Sequence, residues 1–137
     1  MGTLVVGYDG SDCARAALST AIDVAQAFGD DVVVVFAYEL SRLGGEVEDY
    51  ARALRERAEE VISHAVDQAR AVGVDVSTEV TEENPAQALV DIAAVKQARA
   101  IVVGTRGEHP LKGAIVGSTP HRLLQIADRP VLVVPDV

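Results

Sequence analysis

Four short apolar runs rich in valine constrain the fold of this chain more than any other feature of its sequence. They read TLVVG (3–7), VVVVFAY (32–38), AIVV (100–103) and VLVV (131–134). None of them alternates polar with apolar residues, which is typical of strands covered on both faces in a parallel sheet. A fifth segment, VDVSTEV (74–80), does alternate and is predicted to be a strand near a sheet edge.

Helical patterns separate these runs. Their predicted limits are Ser11 or Asp12 to Gly29, Asp49 to Val72, Pro85 onward with Asn84 as cap, and Ser118 or Thr119 to the residue before Asp128. We expect their inward stripes to include Phe28, Val72 and Val95. The β-α-β-α-β-α-β-α-β order predicts one α/β domain over 1–137, with a five-stranded, mainly parallel, twisted, Rossmann-like sheet and helices on both faces.

The charge balance excludes several classes of partner. Twelve basic and twenty-one acidic residues give a net charge of −9, which repels nucleic acid and anionic membrane surfaces. A small anion is not excluded, because screening over about 10 Å leaves local amide groups effective at contact distance. Cys13 is the single cysteine, and no apolar run approaches the ~20 residues that span a bilayer. We therefore expect a cytoplasmic protein without membrane partners.

Two glycine-containing loops follow predicted strands. GYDGS (7–11) follows the first strand and GTRG (104–107) follows the fourth. Ligands of open parallel sheets bind beyond the carboxyl ends of the strands, and glycines let backbone amides approach an anion closely. Gly117, Ser118 and Thr119 then open a helix whose amides favour phosphate. The alternative is that these are ordinary turn residues, and spacing alone does not decide between the two. No P-loop and no G-x-G-x-x-G fingerprint is present.

The spacing of these glycines resembles a known signature. Gly104-x-x-Gly107, nine residues and then Gly117-Ser118 is similar to the G-2x-G-9x-G-(S/T) motif of the universal stress protein family, in its ATP-binding branch. VVGYDGS, VVVVFAY, NPAQALVDIA and RPVLVVP extend the resemblance along the whole chain. It implies an adenine nucleotide alpha hydrolase-like fold, ATP (or AMP or ADP) with or without Mg²⁺ or Mn²⁺, a stress-response role, and a homodimer formed through strand 131–134.

The resemblance also implies a set of nucleotide-binding residues. They are Gly7, Asp9 and Ala37 near adenine, Gly104, Arg106 and Gly107 along the ribose and phosphates, and Gly117, Ser118 and Thr119 on the phosphates. The sequence is equally consistent with Arg106 being a solvated loop residue that contacts no ligand. Pro120 stands where the family commonly has Ser or Thr, and Glu108 and His109 replace small or basic residues. These departures from the family pattern argue against tight triphosphate binding more than they argue against an adenine site.

Three functions stay open from the sequence. The first is a nucleotide-binding regulatory homodimer with an unknown protein partner. The second is a slow ATPase or nucleotidyl transferase, for which Asp9, Glu108 and His109 are the candidate bases without a convincing orienting partner. The third is a dimeric interaction module without nucleotide. We assign no catalytic residue, and the three histidines show no metal-ligand spacing.

Cys13 is interpreted as a small buried residue or, alternatively, as a thiol acidified by a helix start.

Overall fold

The computed structural model describes residues 2–39, 47–106 and 117–136, and the side chains of 47 and 48 are outside that description. The elements are β1 (Thr3–Gly7), α1 (Asp12–Phe28), β2 (Asp31–Tyr38), α2 (Val47–Ala71), β3 (Val76–Glu82), α3 (Pro85–Lys96), β4 (Ala100–Gly104), α4 (Ser118–Ile126) and β5 (Val131–Val134). Helix α2 begins at Val47, two residues before the predicted Asp49. No helix in the described ranges is long and apolar enough to cross a membrane.

The five strands form one sheet in the order β3-β2-β1-β4-β5, and every neighbouring pair is parallel. Val5 in the central strand pairs with Val33 on one side and Ile101 on the other. The chain therefore builds one half of the sheet outward from β1 and then returns to build the other half from β4. The predicted sheet is confirmed, including the edge position of β3.

Alternate residues of each strand enter two separate cores, as a parallel sheet covered on both faces requires. Leu4 and Val6 of β1 face α1 and α2, whereas Val5 faces α3 and α4. Leu18 and Leu123 are fully buried on opposite faces of the sheet. With few aromatic residues in the chain, these cores consist mainly of Val, Ala, Leu and Ile.

The helix ends follow the local chemistry of their capping residues. The Ser11 side chain accepts a hydrogen bond from Ala14 N. Of the two predicted N-caps of α1, Ser11 is therefore the actual one and Asp12 is not. Gly29 ends α1 with a φ of 70°, where a residue with a Cβ is strained. Asn84 caps α3 as predicted. As predicted, α4 begins at Ser118, and its N-cap is Gly117.

Three residues predicted to face inward are instead exposed. Phe28, Val72 and Val95 have exposed fractions of 60%, 48% and 82%. Phe28 is the last residue of α1, and the Arg99 guanidinium covers its ring at 4.7 Å. Val72 follows the last turn of α2. Nearly all of α3 is apolar, so helical periodicity did not identify the side of that helix that faces the solvent.

An ion pair joins the amino ends of three strands. Asp30, whose side chain is fully buried, accepts hydrogen bonds from Arg99 Nε at 2.6 Å and from Gly2 N at 2.7 Å. These residues directly precede β2, β4 and β1. Hydrogen bonding from the Arg99 guanidinium holds the pKa of the Asp30 carboxyl below its ordinary value. The pair therefore lies at the end of the sheet opposite to the glycine loops.

Candidate functional site

A cleft of about 160 Å³ lies at the carboxyl ends of β1, β2 and β4. This is the point where the strand order reverses, and ligands of open α/β sheets bind at such points. Its walls contain eight of the nine predicted site residues: Gly7, Asp9, Ala37, Gly104, Arg106, Gly117, Ser118 and Thr119. The ninth, Gly107, lies outside the described residues. The two glycine loops and the start of α4 thus face one volume.

The loop after β1 is held by short-range hydrogen bonds. Asp9 Oδ1 accepts from Ser11 N at 2.9 Å, and Ser11 in turn caps α1. Gly10 between them has a φ of 81°, and a Cβ there would lie 3.1 Å from a Val61 methyl group. The loop conformation therefore requires glycine at this position, and it places Asp9 beside the cleft.

One wall of the cleft is apolar. Pro85 and Leu89, four residues apart on α3, line it together with Val35 of β2 and Val103 of β4. Gly7 lies beneath this wall, since a Cβ there would lie 3.0 Å from Leu89 Cδ1 and 3.2 Å from Val103 Cγ1. The absence of a side chain at position 7 lets Leu89 and Val103 pack closely over the end of β1.

The end of β2 directs backbone groups toward the cleft. Tyr8 N donates to Val35 O at 2.9 Å, so the backbone of Val35 faces β1. Backbone direction alternates along a strand, and Ala37 therefore faces the same side. Because Gly7, the last residue of β1, pairs with Val35, the Ala37 groups lie beyond the end of β1. Ala37 thus turns one N–H donor and one carbonyl acceptor toward the cleft.

The start of α4 has few amides to offer a ligand. Gly117, its N-cap, donates its N–H to Thr105 O, and no side chain in the described part of the chain caps this helix. Pro120, in the third helical position, has no N–H. The amides of Ser118 and Thr119 remain, and neither has an intrahelical partner. The helix dipole and two neighbouring hydroxyls favour an anion here.

Packing against α1 requires glycine at position 104, in addition to any role of Gly104 in the motif. A Cβ at position 104 would lie 2.6 Å from the backbone carbonyl carbon of Cys13, in the first turn of α1. The Cys13 thiol is 5% exposed and lies 3.6 Å from the Thr105 hydroxyl. The interpretation of Cys13 as a small buried residue is confirmed, and Gly104 permits the contact between β4 and α1.

Charged side chains are sparse among the residues that line the cleft. Among the lining residues that the structure describes, Asp9 is acidic and Arg106, which is exposed, is basic. Within the described ranges no group of three potential ligands is suited to hold a metal ion. Glu108 and His109, the other candidate bases, lie outside those ranges. Acid–base chemistry in the described cleft therefore depends on Asp9.

Comparison with known proteins identifies the family. The model of the Universal stress protein family matches residues 1–135 of this chain. The chain belongs to the universal stress protein family. It is 34% identical over 135 residues to a universal stress protein of Thermus aquaticus, covering 96% of this chain and 97% of that one.

Solved universal stress proteins share the fold and include nucleotide complexes. One in complex with cAMP matches with a TM-score of 0.77 and 27% identity, covering 97% of this chain and 96% of that one. The Archaeoglobus fulgidus protein in complex with dAMP matches with a TM-score of 0.77 and 25% identity, covering 98% of both chains. Nucleotide binding is thus a property of relatives with this architecture.

Sequence reasoning missed part of the cleft in this universal stress protein. Tyr8, Ala14, Val35, Pro85, Leu89 and Val103 line it without having been assigned to a site. The sequence identified Pro85 only as a helix start, and it assigned Leu89 to no site. Their four-residue spacing at the start of α3, whose first turn follows the carboxyl end of β3, was the available signal.

Proposed function

We propose that this universal stress protein binds an adenine nucleotide in the switch-point cleft and acts as a regulatory, stress-response homodimer rather than a fast enzyme. The observation that carries the proposal is the order of groups across the cleft. The Ala37 backbone lies on the β2 side, the apolar residues of α3 lie over the end of β1, and the start of α4 lies on the β4 side. The complexes of relatives with cAMP and dAMP support it.

The β2 side suits a base. Leu89 and Pro85 offer apolar surface to the face of a ring, and the backbone of Ala37 offers a donor and an acceptor to its edge. Asp9 adds a carboxylate, which accepts several hydrogen bonds and so suits an amino group or a ribose hydroxyl. Strands lie about 4.8 Å apart, so the groups on β2 and β4 are separated by roughly 10 Å, which a nucleotide spans.

The β4 side suits phosphate. Ser118 and Thr119 supply amides and hydroxyls, and the exposed Arg106 lies at the same side of the cleft. Gly104 and Gly107 would run along the ribose and phosphates, as in the family motif. Since Asp9 is the one carboxylate among the lining residues that the structure describes, Mg²⁺ or Mn²⁺ would be bound chiefly by the phosphates. ATP is the ligand that the family motif implies, with ADP and AMP as alternatives.

Binding rather than turnover follows from the chemistry of the cleft. A general base must be positioned against its substrate and held by an orienting group. Asp9 is the carboxylate among the lining residues, and one of its oxygens already accepts from Ser11 N. We therefore propose that nucleotide acts as a regulatory ligand. The cytoplasm is the proposed compartment, in keeping with a single, free cysteine.

The outer edge of β5 is the proposed dimer contact. Ile101 N donates to Pro130 O and Thr105 N donates to Val134 O, so even-numbered residues of β5 face β4. The backbones of Val131 and Val133 therefore point away from the sheet, available to a second strand. Leu124 and Leu132 are 66% and 40% exposed on the neighbouring surface. Two copies related by a twofold axis would join their β5 strands antiparallel.

Calorimetric titration with AMP, ADP and ATP, with and without Mg²⁺ or Mn²⁺, tests the proposal. We expect saturable binding of adenine nucleotides below millimolar concentration. The Ala37→Pro variant removes one N–H directed at the cleft and should weaken binding about tenfold, whereas Ala37→Ser retains the N–H and should not. Absence of saturable binding to folded protein at millimolar nucleotide would refute the proposal. Mass spectrometry of denatured, freshly purified protein would identify any nucleotide carried along.

A further inference from the structure

We propose that the outer edge of β3 binds an extended, basic peptide segment of another protein as an additional strand of the sheet. β3 (Val76–Glu82) lies at one end of the sheet, and in the part of the chain that the structure describes it pairs with β2 alone. Main-chain hydrogen bonds give such strand addition its affinity, and side chains along the edge give it specificity. The inference goes beyond the proposed function, because β3 contributes no residue to the described lining of the cleft.

The hydrogen bonds between β3 and β2 fix the direction of each backbone group. Val32 N donates to Asp75 O, and Glu83 N donates to Tyr38 O. Backbone direction alternates along a strand, so odd-numbered residues of β3 face β2 and even-numbered residues face outward. The outward residues are Val76, Thr78, Val80 and Glu82. Each turns one N–H donor and one carbonyl acceptor away from the sheet, where a further strand can bind them.

Most of this edge is open to solvent. Thr78, Val80 and Glu82 are exposed, and the exposed fraction of Val80 is 39%. β3 has seven residues, whereas β5 at the other end of the sheet has four. Its sequence VSTEVTE is rich in β-branched residues and lacks proline, which often prevents the pairing of edge strands. The edge is therefore long enough and regular enough to add a strand.

The two faces of β3 differ in polarity. Val80 pairs with Phe36, on the face of the sheet that α1 and α2 cover. Glu79 pairs with Val35, on the face that α3 and α4 cover. Side chains alternate between the faces along a strand. An added strand that alternates apolar with basic residues therefore places its apolar side chains beside Val80 and its basic ones beside Glu79.

Charge complementarity selects a basic segment. Residues 71–95 include no Lys or Arg. The acidic residues of that stretch are Asp75, Glu79, Glu82, Glu83 and Asp91. Arg55 of α2 interacts with the charge of Glu82, whereas on the α3 side a hydrogen bond and repulsion from Asp91 raise the pKa of Glu83 above its ordinary 4.5. Opposite charges on neighbouring strands stabilise their pairing, so Lys or Arg is favoured on the α3 side of the added strand.

A second copy of this chain is a poorer partner for the same edge. Pairing of two β3 strands would place Glu79 and Glu82 of one copy beside the acidic strand of the other. Like charges on adjacent strands destabilise their pairing, and each copy carries a net charge of −9. The acidic edge thus disfavours self-association and leaves its backbone groups available to a segment of opposite charge.

A peptide of alternating Lys and Val, with blocked termini and the same seven residues in length as β3, tests the proposal in an NMR titration of the full chain. We expect a dissociation constant of about 10–100 μM, and binding at least about tenfold weaker for a control peptide with Glu in place of Lys. Added salt should weaken binding of the Lys peptide, because salt screens exposed charges.

Hydrogen exchange separates strand addition from general attraction between charges. The amides of Thr78 and Val80 should exchange at least about tenfold more slowly in the complex, because they donate to the peptide. The amides of Ser77 and Glu79 face β2 in the free protein and should change little. Binding without slower exchange at Thr78 and Val80 would overturn the proposal.

Two pairs of variants complete the test. Thr78→Pro removes an outward N–H and none that pairs with β2, so it should weaken binding at least about fivefold, whereas Thr78→Ala should not. Glu79→Gln should weaken binding about threefold, and Asp67→Asn, which removes the same charge on α2, should have a smaller effect. Glu79→Gln leaves the backbone unchanged, so it tests the proposal independently of the folding of Thr78→Pro.

Other outcomes would also overturn the proposal. They are no saturation at millimolar Lys peptide, equal affinity for the Glu peptide, and unchanged affinity in Glu79→Gln. Slower exchange of the Thr78 and Val80 amides at rising protein concentration without peptide would overturn it in favour of a second copy. Nucleotide binding is a separate measurement, and its failure would leave the proposal for β3 standing.

Discussion

The end of β4 lies directly against the first turn of α1, so that a Cβ on Gly104 would come within 2.6 Å of the Cys13 carbonyl carbon. Backbone atoms on both sides leave no flexible side chain to move away. We expect Gly104→Ala to lower the free energy of unfolding by about 1–3 kcal/mol, as overpacked sites do. Denaturant titration measures this loss. A variant as stable as the wild type would show that the two elements separate easily.

Gly7→Ala should weaken ligand binding more than it lowers stability. Its methyl group would contact the ends of two side chains, Leu89 Cδ1 and Val103 Cγ1, which move more easily than backbone. We expect a stability loss of less than about 1 kcal/mol but a several-fold weaker affinity for adenosine, because the methyl group displaces Leu89 and Val103, which line the cleft. Calorimetry and denaturant titration on one preparation separate the two effects. Unchanged affinity would place the base elsewhere.

The Asp30–Arg99 pair should make stability depend on acidic pH. The pKa of Asp30 is lowered in the folded protein, so its stabilisation is complete above the ordinary value of 3.8 and is lost as the pH falls through the folded value. We expect Asp30→Asn to cost about 1–3 kcal/mol at neutral pH, since Gly2 N and the Arg99 guanidinium lose a charged acceptor that is itself buried. The difference from wild type should shrink below about pH 3.8. Thermal denaturation at several pH values measures it, and a pH-independent difference would contradict it.

Glu83 and Asp91 should have the reverse pH dependence. A hydrogen bond and repulsion from the Asp91 carboxyl raise the pKa of Glu83 above its ordinary 4.5. The folded state is therefore penalised as the pH rises through that raised value, and the penalty is absent below 4.5. Asp91→Asn should raise stability at pH 7 by up to about 0.5 kcal/mol, a value limited by solvent screening, and should have no effect near pH 4.

Asp67→Asn on exposed α2 is the control for that experiment, because it removes the same charge elsewhere on the surface. Its effect on the denaturation midpoint should be smaller at pH 7. Equal gains from both variants would attribute the effect to the net charge of −9 rather than to the Glu83–Asp91 pair.

Val133→Pro tests the proposed dimer. The N–H of Val133 points away from β4, so proline there removes a group available to a second copy and none that pairs with β4. We expect the dissociation constant of the dimer to rise at least about tenfold, as measured by analytical ultracentrifugation. Val133→Ala keeps the N–H and should dimerise nearly as the wild type does. Equal assembly of Val133→Pro would place the contact elsewhere.

The sheet and the cleft differ in how far sequence predicted them. The strands and helix ends were predicted to within a few residues, because their signals are local. These signals are the valine runs without polar alternation and the capping residues Asn84 and Gly29. Eight of nine site positions line the cleft because a spaced motif constrains several loops at once. The contribution of α3 was not predicted, because Leu89 has the same apolar spacing whether it lines a cleft or fills a core.

Long-range contacts account for the other differences. The bond from Gly117 N to Thr105 O and the approach of Gly104 to Cys13 join residues distant in sequence. No local pattern encodes either contact. Phe28 continues the apolar stripe of α1 yet is exposed, because that stripe extends past the sheet and ends beside Arg99.

The ion pair between buried Asp30 and exposed Arg99 lies at the amino ends of the strands, whereas the cleft lies at their carboxyl ends. The five residues of β1 hold the two apart by roughly 15 Å, beyond the range over which substitutions usually influence one another. Heat resistance and ligand preference can therefore change separately in this chain. A lineage that adapts to a warmer habitat can acquire substitutions near Asp30 and Arg99 while the residues of the cleft stay the same.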